Sequence, residues 1–156
     1  MGLKGRNTIS GKEGEVIVEV GGRRFNYMNL TEIEATVDIT KDELTTLKSR
    51  MTQHKISAMS GSYSGKGYKV MSEVAKAWEA WKDNKSEVPI FTITIRNTDD
   101  SSGAGNQTVT LYDCMSDSFT LAKLDTGASS IDEDFKGTFD DWSLDEMFKA
   151  QPGFEV

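Results

Sequence analysis

The stretch Glu15-Val16-Ile17-Val18-Glu19-Val20-Gly21-Gly22-Arg23-Arg24-Phe25-Asn26-Tyr27-Met28-Asn29-Leu30 decides the fold class. A short β-branched run from Glu15 to Val20 meets Gly21-Gly22, two residues that tolerate positive φ. A second run, Arg23 to Leu30, then returns. This is the pattern of a two-residue β-hairpin.

Working outward, Ile33, Ala35, Val37 and Ile39 alternate with Glu32, Glu34, Thr36 and Asp38, which predicts a half-buried strand with one wet face. From Lys41 to Thr52 the alternation fades, and Leu44, Leu47 and Met51 at spacings of three and four fit a short helix or a long loop. Gly61, Gly65 and Gly67 within Lys55 to Val70 predict a bent or interrupted strand. Val70, Met71, Val74, Ala77, Trp78 and Trp81 then line one side of a helix over about 70–82, with its two tryptophans read as core packing.

Pro89 opens a strand from Ile90 to Arg96, in which Phe91, Ile93 and Ile95 oppose Thr92, Thr94 and Arg96. Asn97 to Asn106 reads as a turn or mobile loop. Strands Gln107 to Met115 and Phe119 to Leu124, a small-residue connector Thr126 to Ser130 and a last strand near 134–144 follow as a meander. Asp145 to Val156 is left as a turn plus tail. The sum is a β-dominated α+β chain, a sandwich or open barrel with one flanking amphipathic helix.

At 156 residues the chain suits a single domain over 1–156, with an N-terminal arm of about 1–14 and an acidic C-terminal end of about 125–156. Residues 1–124 carry 16 basic and 16 acidic side chains and residues 125–156 carry 2 and 9, so the whole net charge of −7 sits at that end. Such a balance argues against tight phosphate-backbone binding, which needs clustered Lys and Arg. No apolar run reaches the ~20 residues of a membrane helix. Met1 to Ser10 lacks the apolar stretch of a secretory signal, so no membrane anchor is expected. With one cysteine, Cys114, in the apolar run Val109 to Met115, no internal disulfide and no CxxC zinc pair can form. A small buried hydrophobe is the reading for Cys114.

Motifs that carry chemistry are scarce in the chain. Gly61 to Gly67 fails the phosphate-loop spacing, and Lys66 is followed by Gly67 instead of a hydroxyl residue. His54, the single histidine, is flanked by cations with no neighbouring carboxylate, and Gly61-Ser62-Tyr63-Ser64-Gly65 sets its serines off the central position of a nucleophile elbow. Asp132-Glu133-Asp134 and Asp140-Asp141 lack the glycine and terminal glutamate of a calcium loop. No enzyme, metal or cofactor is expected. The remaining classes are a self-assembling subunit, a small β-domain that binds a ligand or carbohydrate, and an acidic hydrolase.

Four segments in order favour the first. Asn7-Thr8-Ile9-Ser10-Gly11-Lys12-Glu13-Gly14, Arg50-Met51-Thr52-Gln53-His54-Lys55, Gln107-Thr108-Val109-Thr110-Leu111 and Leu121-Ala122-Lys123-Leu124-Asp125 together resemble the tail tube proteins of PBSX-type prophages and related contractile-tailed phages or phage-tail-like bacteriocins. Met59-Ser60-Gly61 departs from the family habit of an aromatic residue before Ser-Gly. The resemblance implies a tail tube β-fold whose copies form six-membered rings that stack into a hollow tube. It implies as partners other copies of the chain, a sheath protein, a tape-measure protein and baseplate or terminator proteins. DNA would pass without tight binding, and assembly would take place in a bacterial cytoplasm.

In that picture Asn7, Lys12, Arg50, Gln53, His54 and Lys55 are candidate contacts between rings. Glu32, Glu34, Thr36 and Asp38, or Thr92 and Thr94, are candidates for the lumen wall, with the choice between the two faces left open.

Overall fold

The computed structural model describes residues 4–7, 9, 11–99, 102–127 and 129–150, with the side chain of Asn7 outside that set. After a 3-10 turn at Gly5–Asn7 come β1 (Gly14–Val20), β2 (Arg23–Asn26), β3 (Leu30–Leu44), β4 (Gln53–Tyr68), α1 (Glu73–Lys82), β5 (Phe91–Asn97), β6 (Gln107–Phe119), β7 (Asp132–Phe139) and β8 (Asp141–Glu146). The strands pair antiparallel in the order β2-β1-β5-β6-β7-β4-β3, with β8 also on β6. The fold is the expected β-dominated α+β type.

One strand makes two leaves out of this sheet. Residues 107–114 of β6 pair with β5, residues 108–112 pair with β8, and residues 115–119 pair with β7. Asp113 lies between these stretches at φ +54, a left-handed conformation that a non-glycine residue adopts only when its surroundings demand it. The strand turns there and carries the chain from one leaf to the other. Leaf A is β2-β1-β5-β6 with β8, and leaf B is β6-β7-β4-β3.

Both leaves fill one core. Val16, Val18, Phe91, Ile93, Leu111 and Cys114 from leaf A meet Tyr63 and Phe139 from leaf B, with Tyr27 beside them. The glycines of leaf B are where the large rings go. Across the β4–β7 ladder, Gly61 faces Phe139, Gly65 faces Phe135 and Gly137 faces Tyr63. A Cβ on any of the three would overlap the opposing ring. Glycine in this strand therefore makes room for aromatic packing. Phe135 and Tyr63 pack at 6.3 Å between ring centroids.

Several expectations change. The hairpin turn at Gly21-Gly22 holds, with φ of +59 and +79, although β2 stops at Asn26. Lys41 to Leu44 is neither helix nor loop: it continues β3, because a partner strand satisfies its backbone, and Thr45 to Thr52 is all that connects the hairpin. β4 runs unbroken through its glycines for 16 residues. The helix begins at Glu73 and buries none of its residues, with Trp81 exposed and Trp78 half-buried, so the tryptophans are not core. They pack edge to face at 5.7 Å. The two strands expected over 107–124 are one bent strand ending at Phe119. The strand expected near 134–144 is two, β7 and β8, that follow opposite halves of β6.

Among the described residues of the stretch 98–106, Asp99, Ser102 and Ala104 are buried, and Ser102 Oγ both donates to the Asp99 carbonyl (3.1 Å) and accepts from the Ala104 amide (3.1 Å). Asp100, Ser101, Ala128 and the tail 151–156 lie outside the described residues.

Candidate assembly surfaces

Register settles which side chains share a face, since residues opposite one another in a ladder project the same way. On the outer face of leaf B, Glu32 lies across from Lys66 and Lys66 across from Asp134. In the next rows Glu34 faces Ser64 and Ser64 faces Lys136, and Thr36 faces Ser62 and Ser62 faces Thr138. Glu32, Glu34, Thr36 and Asp38 are all exposed. The face is a polar wall in which acidic side chains outnumber the lysines set among them.

Thr92 and Thr94 belong to the other leaf. Their row partners are Glu19 and Ile17 on β1, and Thr94 also lies across from Thr110 on β6. They are half-buried beside a hydrogen-bonded network on the outer face of leaf A. In it Thr110 Oγ1 donates to Asp145 (2.5 Å), Ser143 Oγ donates to the same carboxylate (2.8 Å), and Thr108 Oγ1 donates to Glu146 (2.7 Å). Arg96 joins Glu146 (3.4 Å) and Glu15 (3.9 Å). Those two hydroxyl bonds hold the Asp145 carboxyl below its ordinary range. The two faces proposed from sequence thus lie on different leaves, both directed away from the shared core.

The β3–β4 hairpin outreaches the rest of leaf B. β7 accompanies β4 only from Gly61 to Tyr68, so among the described residues Asp38–Leu44 and Gln53–Ser60 pair only with each other. The core face continues along this arm with none of the described residues covering it. Ile39 lies across from Met59 and Lys41 across from Ile56, and Ile39, Met59 and Ile56 are 51%, 59% and 65% exposed. At the tip Leu47 and Met51 are exposed at 96% and 75%. In the sequence, the alternation of Ile33, Ala35, Val37 and Ile39 marks the start of this face, and it fades from Lys41 onward.

Arg50, Gln53, His54 and Lys55 all sit on this arm or its tip, and all are exposed. His54 has a carboxylate neighbour after all: Glu43 is directly across the ladder, as Asp42 is from Lys55. Lys12 is elsewhere, on a groove of about 700 Å³ between β1 and the start of β3. The sequence-derived contact residues therefore fall at two separate sites.

Where β2 turns into β3, a half-buried polar knot fixes the far end of the hairpin. Lys69 pairs with Glu133 (3.6 Å) and donates to the Thr120 carbonyl (3.1 Å), while Asn29 Nδ2 donates to Tyr68 O (2.6 Å) and to Glu133 (3.3 Å). Burial, with Glu133 and Glu73 adding, pushes the Tyr27 phenol up to about 12. Burial likewise raises Cys114 to about 12, and its thiol is fully enclosed with Sγ donating to Leu111 O (3.5 Å). Among the described residues no three His, Cys, Asp or Glu side chains come together to hold a metal. No helix is long and apolar enough to cross a membrane.

Comparison with known proteins gives this geometry a setting. The chain is 35% identical over 146 residues to the phage-like element PBSX protein XkdM of Bacillus subtilis (strain 168), covering 94% of this chain and 96% of that one. Its fold matches a chain of the extended sheath-tube complex of an extracellular contractile injection system at TM-score 0.65 and 14% identity, over 88% of this chain and 90% of that one. A chain from the tail of an empty gene transfer agent particle with C6 symmetry matches at TM-score 0.57 and 17% identity, over 92% and 100%. Residues 1–146 match the family described as phage tail tube protein. With the family match spanning nearly the whole chain, this protein belongs to the phage tail tube proteins, structural subunits of the tail.

Proposed function

We propose that copies of this chain close into six-membered rings and that the rings stack into the inner tube of a contractile phage or phage-like tail. The observation that carries this reading is the uncovered arm. Ile39, Met59 and Ile56 extend the core layer past the end of the opposing leaf, and exposed apolar surface of this kind marks an interface. β3 is an end strand, with no second strand partner among the described residues, and closure around a ring satisfies such edges.

The polar outer face of leaf B is our choice for the lumen wall, with Glu32, Glu34, Thr36 and Asp38 in it. Its mixed charge offers a polyanion no continuous basic track, so DNA or another cargo passes without being held. Leaf A, with Thr92 and Thr94, then faces outward. The sheath-tube setting of one structural match supports a sheath partner, and the proposed set is completed by a tape-measure protein and by baseplate and terminator proteins. The role is structural and non-enzymatic, in a single domain assembled in the host cytoplasm.

Size-exclusion chromatography and negative-stain electron microscopy of the purified full chain test this. Rings or hollow polymers are expected. A chain that stays monomeric at every concentration and salt, and also beside its own baseplate initiator, would refute the reading.

A further inference from the structure

A cavity of about 60 Å³ lies between the two leaves, and none of the residues of the exposed arm lines it. Val16, Val18, Phe91 and Ile93 wall it on the side of leaf A, and Ile33, Tyr63 and Phe135 on the side of leaf B. The start of α1 supplies a third wall with Val74 and Ala75, next to Met71. No residue of α1 is fully buried, whereas Val16, Phe91, Ile93 and Tyr63 are, so the helix is the least firmly packed of the three walls.

Size and lining together select the occupant. A water needs about 10–15 Å³ of such space and roughly two to four polar partners, which aliphatic and aromatic walls do not offer. Of the charged residues in the lining, Asp134 is exposed across from Lys66 on the outer face of leaf B. Lys69 and Glu133 hold each other at 3.6 Å, with Lys69 also donating to Thr120 O (3.1 Å) and Glu133 accepting from Asn29 (3.3 Å). A charged ligand has to break that pair to find a counter-ion, and breaking a half-buried pair is costly. A neutral ligand leaves it intact. Dry apolar cavities of about 150 Å³ take up benzene or xenon, so one of about 60 Å³ fits something smaller than a benzene ring.

We infer that this cavity is a binding site for a small neutral apolar molecule, of the size of a short alkyl chain. Val18 and Ile93 from one leaf and Ile33 and Phe135 from the other bear on such a ligand at once, so its binding ties the leaves together across the core. Every wall comes from one chain, and binding therefore needs neither a second copy nor a tube.

Xenon and 1-butanol, titrated into the methyl-labelled full chain and followed by NMR, test the site. Saturable shifts of the Val16, Val18, Ile33, Val74 and Ile93 methyl groups are expected, with Ile17, on the outer face of leaf A, unmoved. Butyrate and butylammonium, the charged counterparts of 1-butanol, should leave the same groups where they are. Ala75→Leu, which enlarges a half-buried side chain of the helix wall, should abolish the shifts. Amide exchange of the unaltered chain requires no substitution: β1 and β3 should exchange more slowly under xenon. Cavity methyl groups that ignore both xenon and 1-butanol overturn the site. Equal shifts in a folded Ala75→Leu chain put the ligand elsewhere and overturn it too, and shifts from butyrate or butylammonium overturn its class. Saturated methyl shifts with unchanged amide exchange overturn the tie between the leaves.

Discussion

Tyr63 lies directly across from Gly137 in the β4–β7 ladder, its phenol occupying the space that a Cβ on that glycine would need, with its hydroxyl donating to the Met115 carbonyl at 3.4 Å. The contact ties β4, β7 and the second half of β6 together at one point in the core.

Replacing Gly137 with alanine is therefore expected to destabilise the subunit by about 3 kcal/mol, since the new methyl meets both the ring and the Met115 backbone oxygen. Gly127→Ala, whose nearest neighbour is the Asp125 side chain at 3.5 Å, serves as the control and should stay within about 0.5 kcal/mol. Urea denaturation of the monomer reads both.

Alkali should unfold the chain before it damages it. Tyr27, Tyr63 and Cys114 are each raised to about 12 in the fold from ordinary values of 10.0, 10.0 and 9.0. In that window the unfolded chain gives up protons that the folded one keeps. The stability these groups contribute is whole below their ordinary values and falls as pH climbs toward 12, by about 1.4 kcal/mol per pH unit for each group. Tyr63→Phe should lose its bond to Met115 and also show a shallower decline, measured by thermal melts between pH 8 and 11.

At the acid end the sign reverses. The Asp145 carboxyl is held down by hydrogen bonds from Thr110 and Ser143, so its contribution is present above its ordinary value of 3.8 and is lost as pH falls below it. Asp145→Asn should remove that part of the acid sensitivity, read as a smaller shift in melting temperature between pH 5 and pH 3.

The half-buried pair at the base of the hairpin is expected to matter more than surface pairs do. Among the described residues, Lys69→Met leaves Glu133 with Asn29 as its side-chain hydrogen-bond partner and strips a donor from Thr120 O, for a cost of about 2 kcal/mol. Lys76→Met, whose partner Glu79 is exposed, should change little. Equilibrium unfolding of the two variants side by side checks the contrast.

Ile39→Ser with Ile56→Ser separates folding from assembly. Both side chains are more than half exposed in the single subunit, so the melting temperature of the monomer should move by no more than a degree or two. Tube growth, scored in electron micrographs, should be lost.

Much of this was readable from residue order, and the misses share a cause. The hairpin at Gly21-Gly22, the alternation of β3 and the strand after Pro89 are local patterns, and local patterns survive. The unbroken course of β4 was not readable, because Gly61 and Gly65 look like breaks until Phe139 and Phe135 are seen to occupy the space above them. Likewise the Trp78 and Trp81 stripe looks like a core face, yet the helix buries none of its residues in the isolated subunit. His54 seemed to lack a carboxylate because Glu43 is distant in sequence and adjacent only across the ladder. The two polar faces, Glu32 to Asp38 and Thr92 with Thr94, were both visible. That they turn their backs on each other is a fact of topology, fixed by a bend at Asp113 that no periodicity announces.

That bend gives the subunit the mechanics of a bound book. β6 is the spine, continuous through both leaves, so the covers cannot come apart there without breaking a strand. On the fore-edge, the end strands β2 and β3 are joined through the short turn around Met28. Amide exchange of the monomer is expected to be fastest on that side, which hydrogen–deuterium exchange would read. A body wedged into the fore-edge would act as a clasp, holding the two covers at a fixed opening.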